Sequence, residues 1–152
     1  MLKILLDNKK KVVLSALIVL GLIGVRAFED WLFYDPFLDY FKRDYTALSY
    51  PPADDFLLLV NYLFRYTLNA GLSVALLHVI FANRDITKFA AILYACFFVI
   101  FLLAFLLIWK DIFGDQKTLL FYARRFLIQP ILILLFIPAF YVQQRSEKNN
   151  IL

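Results

Sequence analysis

One cysteine, one histidine, one methionine and four glycines are all that this chain of 152 residues contains of those types. A lone cysteine excludes an internal disulfide and leaves the redox compartment open. With one histidine there is little from which to build a metal site, and the glycine-rich loops that cradle phosphates are missing, as is the serine elbow of hydrolases. No cofactor or metal is expected. Charge is scarce too: no charged residue lies from Phe89 to Trp109, and Arg65 alone interrupts the stretch from Phe56 to Ala82. What is abundant is apolar: 63 % of the residues are hydrophobic and 18 % aromatic, against 18 % charged. A soluble domain is about 45 to 50 % apolar, and one this small cannot hide the surplus in its own core. Lipid is therefore the expected solvent.

A membrane helix needs about 20 apolar residues at about 1.5 Å each. Four stretches approach this, and the expected fold is an all-α membrane protein of four spans in one domain, at about residues 12–34, 56–82, 89–109 and 119–142. The span at 89–109 is the cleanest. That at 56–82 carries Asn61, Arg65, Asn69 and His78, and that at 119–142 carries Arg124, Arg125, Gln129, Pro130 and Pro138, which predict a kink. The first has only 14 uncharged residues, Val12 to Val25, and reaches full length by counting on to Tyr34. Lys9, Lys10 and Lys11 before it look like a signal peptide, but Arg26-Ala27-Phe28-Glu29 is no small-x-small cleavage site, so an anchor helix is expected.

The bases set direction. Lys3, Lys9, Lys10, Lys11, Arg84, Lys88, Arg145 and Lys148 fall on one side, whereas residues 26–55 hold seven acids against three bases. Both termini are expected in the cytoplasm. The net charge of +4 is then a topology signal, and no compact basic patch with interleaved aromatics points to nucleic acid.

The loop after the first span is crowded with rings, among them Phe28, Trp31, Phe33, Tyr34, Phe37, Tyr40 and Phe41. Tyrosine and tryptophan suit the headgroup layer. Asp35-Pro36 is a helix-start signature, and Phe37, Tyr40, Phe41, Asp44 and Leu48 recur at helical spacing, so a short interfacial helix from about Pro36 to Tyr45 is expected to lie on the membrane. Trp31, Tyr34, Asp35, Pro36 and Phe37 serve either to dock a partner or merely to anchor the loop.

Arginine inside a bilayer costs at least about 2.5 to 3.5 kcal/mol on insertion scales. Asn61, Arg65, Asn69 and Ser73 follow one another every four residues, on a stripe that should face protein. Arg65 with Arg26, Arg124 and Arg125, the last followed one turn on by Gln129, should converge at the outer level of a bundle, with Glu29, Asp30 and Asp35 as nearby counter-charge. Three readings stay open: an internal ion-pair network, a site for an anionic lipid or a partner carboxylate, or snorkelling to headgroups. Cys96 and His78, the only thiol and imidazole, are expected toward the cytoplasmic ends of their helices, Cys96 among Ala95, Phe97 and Phe98. No residue is assigned to catalysis.

Lys9-Lys10-Lys11, the run Phe33-Tyr34-Asp35-Pro36-Phe37-Leu38 with Tyr40-Phe41-Lys42, the stretch Phe64-Arg65-Tyr66-Thr67-Leu68-Asn69, and Arg124-Arg125-Phe126-Leu127-Ile128-Gln129-Pro130 with Phe136-Ile137-Pro138-Ala139-Phe140-Tyr141 resemble the exosortase F system-associated proteins. The resemblance covers nearly the whole chain. It implies a small bacterial inner-membrane protein working beside an exosortase, an enzyme that processes carboxy-terminal sorting signals at the outer face. The exosortase and its sorting signal are then the implied partners, and the enzyme's own Cys, Arg and His set is not what these residues resemble.

Overall fold

The computed structural model describes residues 8–149 apart from 113 and 115, with backbone alone at 147–149, so Lys3 and the Lys148 side chain lie outside the described residues. Every regular element described is a helix: α1 Lys9–Ala27, α2 Glu29–Leu32, α3 Phe37–Lys42, α4 Asp55–Phe81, α5 Arg84–Trp109, α6 Lys117–Ile128 and α7 Ile131–Asn149. Short polar side chains start the long ones by accepting orphan amide protons. Asn8 accepts from Lys11 N at 3.4 Å, Asp54 from Leu57 N at 2.9 Å, and Asn83 from Asp85 N at 2.8 Å.

Two of these helices, α4 and α5, are long and apolar enough to cross a membrane, and α6 with α7 make a third candidate if the bent pair is one span. α1 does not reach that standard, because its lysines and Arg26 leave only the 14 uncharged residues from Val12 to Val25. The expected continuation of the first helix to Tyr34 is wrong. The helix ends at Ala27, and the chain turns at Phe28 so that Glu29 swings back toward Arg26. After the turn the Glu29 carboxylate meets two guanidinium groups, those of Arg26 and Arg65.

The last stretch is broken and not merely kinked. α6 and α7 meet at 65° across Gln129-Pro130. Gln129 is extended at φ −114°, ψ 141°, the conformation favoured for the residue before a proline, whereas Pro138 lies inside α7 without ending it.

α4 is the centre of the bundle, in contact with α1, α5 and α6. Its buried residues Leu58, Tyr62, Arg65, Tyr66, Asn69, Ser73, Leu76 and Leu77 keep the helical period, while Val60, Leu63 and Phe64 face outward as lipid-facing positions do. Between α4 and α5 the connection is only Ala82 and Asn83, with Ala82 left-handed at φ 50°. Ring contacts along α5 then fix the path of the last two helices. Phe101 stacks on Phe126 at 4.6 Å, Tyr94 meets Phe136 edge-on at 5.3 Å, and Phe89 meets Phe140 at 6.0 Å. α6 and α7 thus run together from the end of the bundle that carries the long 28–54 loop to the end that carries the short hairpin.

The long loop does not lie flat. Its helix is shorter than expected, Phe37–Lys42, and Phe37 is fully buried, its ring edge-on to Phe105 at 5.3 Å and to Trp109 at 5.6 Å. The rings of Tyr40 and Phe41 continue the cluster to Phe121 of α6. An aromatic stack of this kind gains from edge-to-face geometry beyond simple burial, and it plugs the loop end of the bundle. Trp31, at 93 % exposed on α2, and Phe28, at 62 %, keep the exposure expected of the loop.

Candidate functional site

Beneath that aromatic plug lies a cluster of charge. Asp35 is its hub: the side chain is 2 % exposed and Oδ1 accepts from the backbone N–H of Phe37 at 3.2 Å, which starts α3. Arg124 of α6 grips both oxygens, Nη2 at 2.6 Å from Oδ2 and Nε at 3.4 Å from Oδ1. Tyr62 of α4 donates its hydroxyl to Oδ1 at 3.2 Å. Arg65, one turn further along α4 and 1 % exposed, brings Nη1 to 3.6 Å from Oδ2. Its Nη2 donates to Glu29, whose Oε2 also accepts from Arg26 Nη1 at 2.7 Å.

The result is an alternating chain, Arg26, Glu29, Arg65, Asp35, Arg124, in which each carboxylate is shared by two guanidinium groups. Planar forks meeting carboxylates suit the geometry of both. Rings close it off, with Arg65 5.1 Å from the centre of the Phe33 ring and Arg124 5.7 Å from that of Phe41. One network thereby ties α1, α2, the loop, α4 and α6 together. Tyr34 is fastened beside it by its backbone N–H, which donates to Asn61 Oδ1 at 2.9 Å.

Of the four arginines expected to converge, three do. Arg125 does not, since it is exposed on another face of α6 and its Nε donates to Gln129 Oε1 at 3.0 Å. Asp30, expected as counter-charge, stands outside and is 3.6 Å from Lys42. Asn69 does not join the ion pairs, and its Nδ2 donates at 3.0 Å to the carbonyl of Ile128, the last residue of α6 before the break. Pro36 precedes α3, and Trp31 points away from the cluster. Glu29 takes the counter-charge role expected of it, and Tyr62 is the member that was not foreseen. Tyr62 stands three residues before Arg65 on α4, the one-turn spacing at which two side chains share a helix face.

Cys96 is exposed on α5, and His78 Nδ1 lies 2.9 Å from Thr87 Oγ1, about 13 Å along α5 from the thiol. Among the described residues no group of three or more histidine, cysteine, aspartate or glutamate side chains could hold a metal. Comparison with protein-family models, curated proteins and solved structures finds no match for this chain.

Proposed function

We propose that the chain is a four-span protein of the bacterial inner membrane with both termini in the cytoplasm, and a non-catalytic accessory subunit of an exosortase-type sorting system. It binds the exosortase or its sorting-signal substrate in the outer half of the bilayer. In support of four spans, the 19 residues of α1 reach about 28 Å, close to the thickness of the hydrocarbon. The path of α6 and α7 from one end of the bundle to the other favours one broken span over a re-entrant loop. Labelling in intact cells tests the topology: in a Cys96→Ala background, a cysteine at Thr46 reacts with an impermeant maleimide and one at Asn83 does not. The reverse pattern sinks the orientation.

The observation that carries the partner reading is the contrast between Arg124 and Arg125. The buried arginines are answered by this chain's own carboxylates. Arg125 stands about 12 Å into its helix segment, faces outward, and has Gln129 as its one side-chain hydrogen-bond partner among the described residues. Ionisable side chains at membrane depth normally face protein or a wet cavity and pair there. A carboxylate on a neighbouring membrane protein fits that fork, and the sequence resemblance supplies the exosortase as the neighbour. Co-purification in mild detergent tests it. Arg125→Leu is expected to lose the exosortase while the protein itself accumulates and melts as before, and undiminished recovery of the complex speaks against the interface.

A second reading, an anionic lipid or lipid-carrier phosphate held by the cluster, draws on its imbalance of three guanidinium groups to two carboxylates. Arg26, half exposed at the rim, is the group such an anion would reach. Native mass spectrometry that retains no anionic lipid would remove this reading.

A further inference from the structure

Below the ion-pair cluster, the polar stripe of α4 continues into the body of the bundle. Arg65, Asn69 and Ser73 occupy successive turns over about 12 Å, and Tyr94 of α5 faces the same seam. All four are at least nine-tenths buried, from 0 % exposed at Ser73 to 5 % at Asn69. Four of their polar atoms nevertheless have neither a hydrogen-bond nor an ion-pair partner among the described residues, namely Arg65 Nε, Asn69 Oδ1, Ser73 Oγ and the Tyr94 hydroxyl, while Arg65 Nη1 has only its 3.6 Å ion pair to Asp35. Asn69 gives its amide protons to Ile128, and Arg65 its Nη2 to Glu29, so neither can turn to serve the other. Ser73 and the Tyr94 hydroxyl lie close enough to interact without meeting hydrogen-bond geometry.

Orphaned polar atoms are expensive where lipid is the solvent, because hydrocarbon offers no replacement partner. A row of four needs an occupant. An acyl chain has nothing to donate or accept, and a partner's side chain cannot reach atoms this deeply covered. The order of the groups fits water. Donors stand at the top on Arg65, an acceptor follows one turn below on Asn69, and two hydroxyls that can do both close the row. A buried water typically makes about three hydrogen bonds, so roughly two or three molecules satisfy the set.

We infer that the seam between α4, α5 and the break after α6 holds a short file of internal waters, running from Arg65 past Asn69 to Ser73 and Tyr94. The file joins the ion-pair cluster to the middle of α4. It makes the surroundings of Arg65 wetter than its burial suggests, and it passes the hydrogen bonding of Asn69 at the helix break on to α5. The site is internal to this chain and does not depend on any partner.

Water-edited solid-state NMR on the protein in lipid vesicles tests it directly. Magnetisation from water is expected to reach Arg65 Nε and the Asn69 side chain about as fast as Asn83 at the hairpin. Transfer as slow as that to Leu77 or Phe105, in the dry core, overturns the inference. Thermal melting of Ser73→Ala and Tyr94→Phe adds a second test with opposite signs. If waters occupy the seam, each variant takes a partner from them and lowers Tm by about 2–4 °C. If the seam is dry, each removes an unsatisfied hydroxyl, and a Tm that rises or stays level overturns the proposal.

Discussion

The two ends of the bundle solve the same problem with different materials. At the hairpin end, α4 and α5 are joined by Ala82 and Asn83, and uncharged contacts hold it, Phe81 and Phe89 both meeting Phe140 with ring centres about 6 Å apart and His78 Nδ1 lying 2.9 Å from Thr87 Oγ1. At the loop end the chain must order the whole stretch between α1 and α4, and it does so with charge under a lid of rings. A short connection leaves little conformational freedom to restrain, so ordinary packing suffices. A long one gives up far more entropy, and directional bonds from several helices to Asp35 and Glu29 fix its path. Holding the loop this way requires that no charge in the cluster be left alone.

That difference has measurable consequences. The largest is expected at Asp35, because removing one member of a buried ion pair leaves its partners uncompensated, at a cost of about 3–5 kcal/mol. Asp35→Ala should therefore abolish or sharply reduce the folded fraction in detergent. Adding Arg124→Leu to it should cost less than the sum of the two single changes, since the residues share one network. Additive losses would show that the loop end is not one unit. At the hairpin end, Leu77→Ala removes a fully buried side chain and should cost about 2–3 kcal/mol in thermal or denaturant unfolding. Equal or greater loss there than at Asp35 would reverse the ranking of the two ends.

Tyr62→Phe removes one hydrogen bond from Asp35 while keeping the ring against Phe105, and about 1 kcal/mol is expected. The smallest effect should be a gain. Ala82→Gly relieves a left-handed alanine at the hairpin, for which about 0.5 kcal/mol of added stability is expected, net of the extra freedom glycine has when unfolded. A loss on that substitution would mean that the turn is held by its flanking caps and stores no strain.

Much of this was legible from residue order. The stripe of Asn61, Arg65, Asn69 and Ser73 pointed inward because period and polarity agreed, and Arg65, Asn69 and Ser73 are buried as that stripe implies. A disturbance at Pro130 also followed from the proline, although a kink was expected there and a 65° break is found. What could not be read was the difference between neighbours. Arg124 and Arg125 are indistinguishable by composition and nearly so by depth, yet one is buried on Asp35 and the other faces outward. Likewise Glu29 and Asp30 stand side by side, and only Glu29 turns into the cluster. A helix advances about 100° per residue, so which of two adjacent side chains points inward depends on how the helix is rotated against its neighbours, and that rotation is set by packing far away in sequence.

Residue order by itself therefore determined that the chain is helical, that it has helices apolar enough to cross a membrane, and where charge is a liability, since those follow from hydropathy summed over about 20 residues. Only the tertiary structure decided that the first helix stops at Ala27, that the aromatic loop plugs the bundle, and that three arginines share two carboxylates while a fourth faces outward. Each of those outcomes rests on side chains as far apart in the chain as Asp35 and Arg124, and no local pattern carries the distance between them.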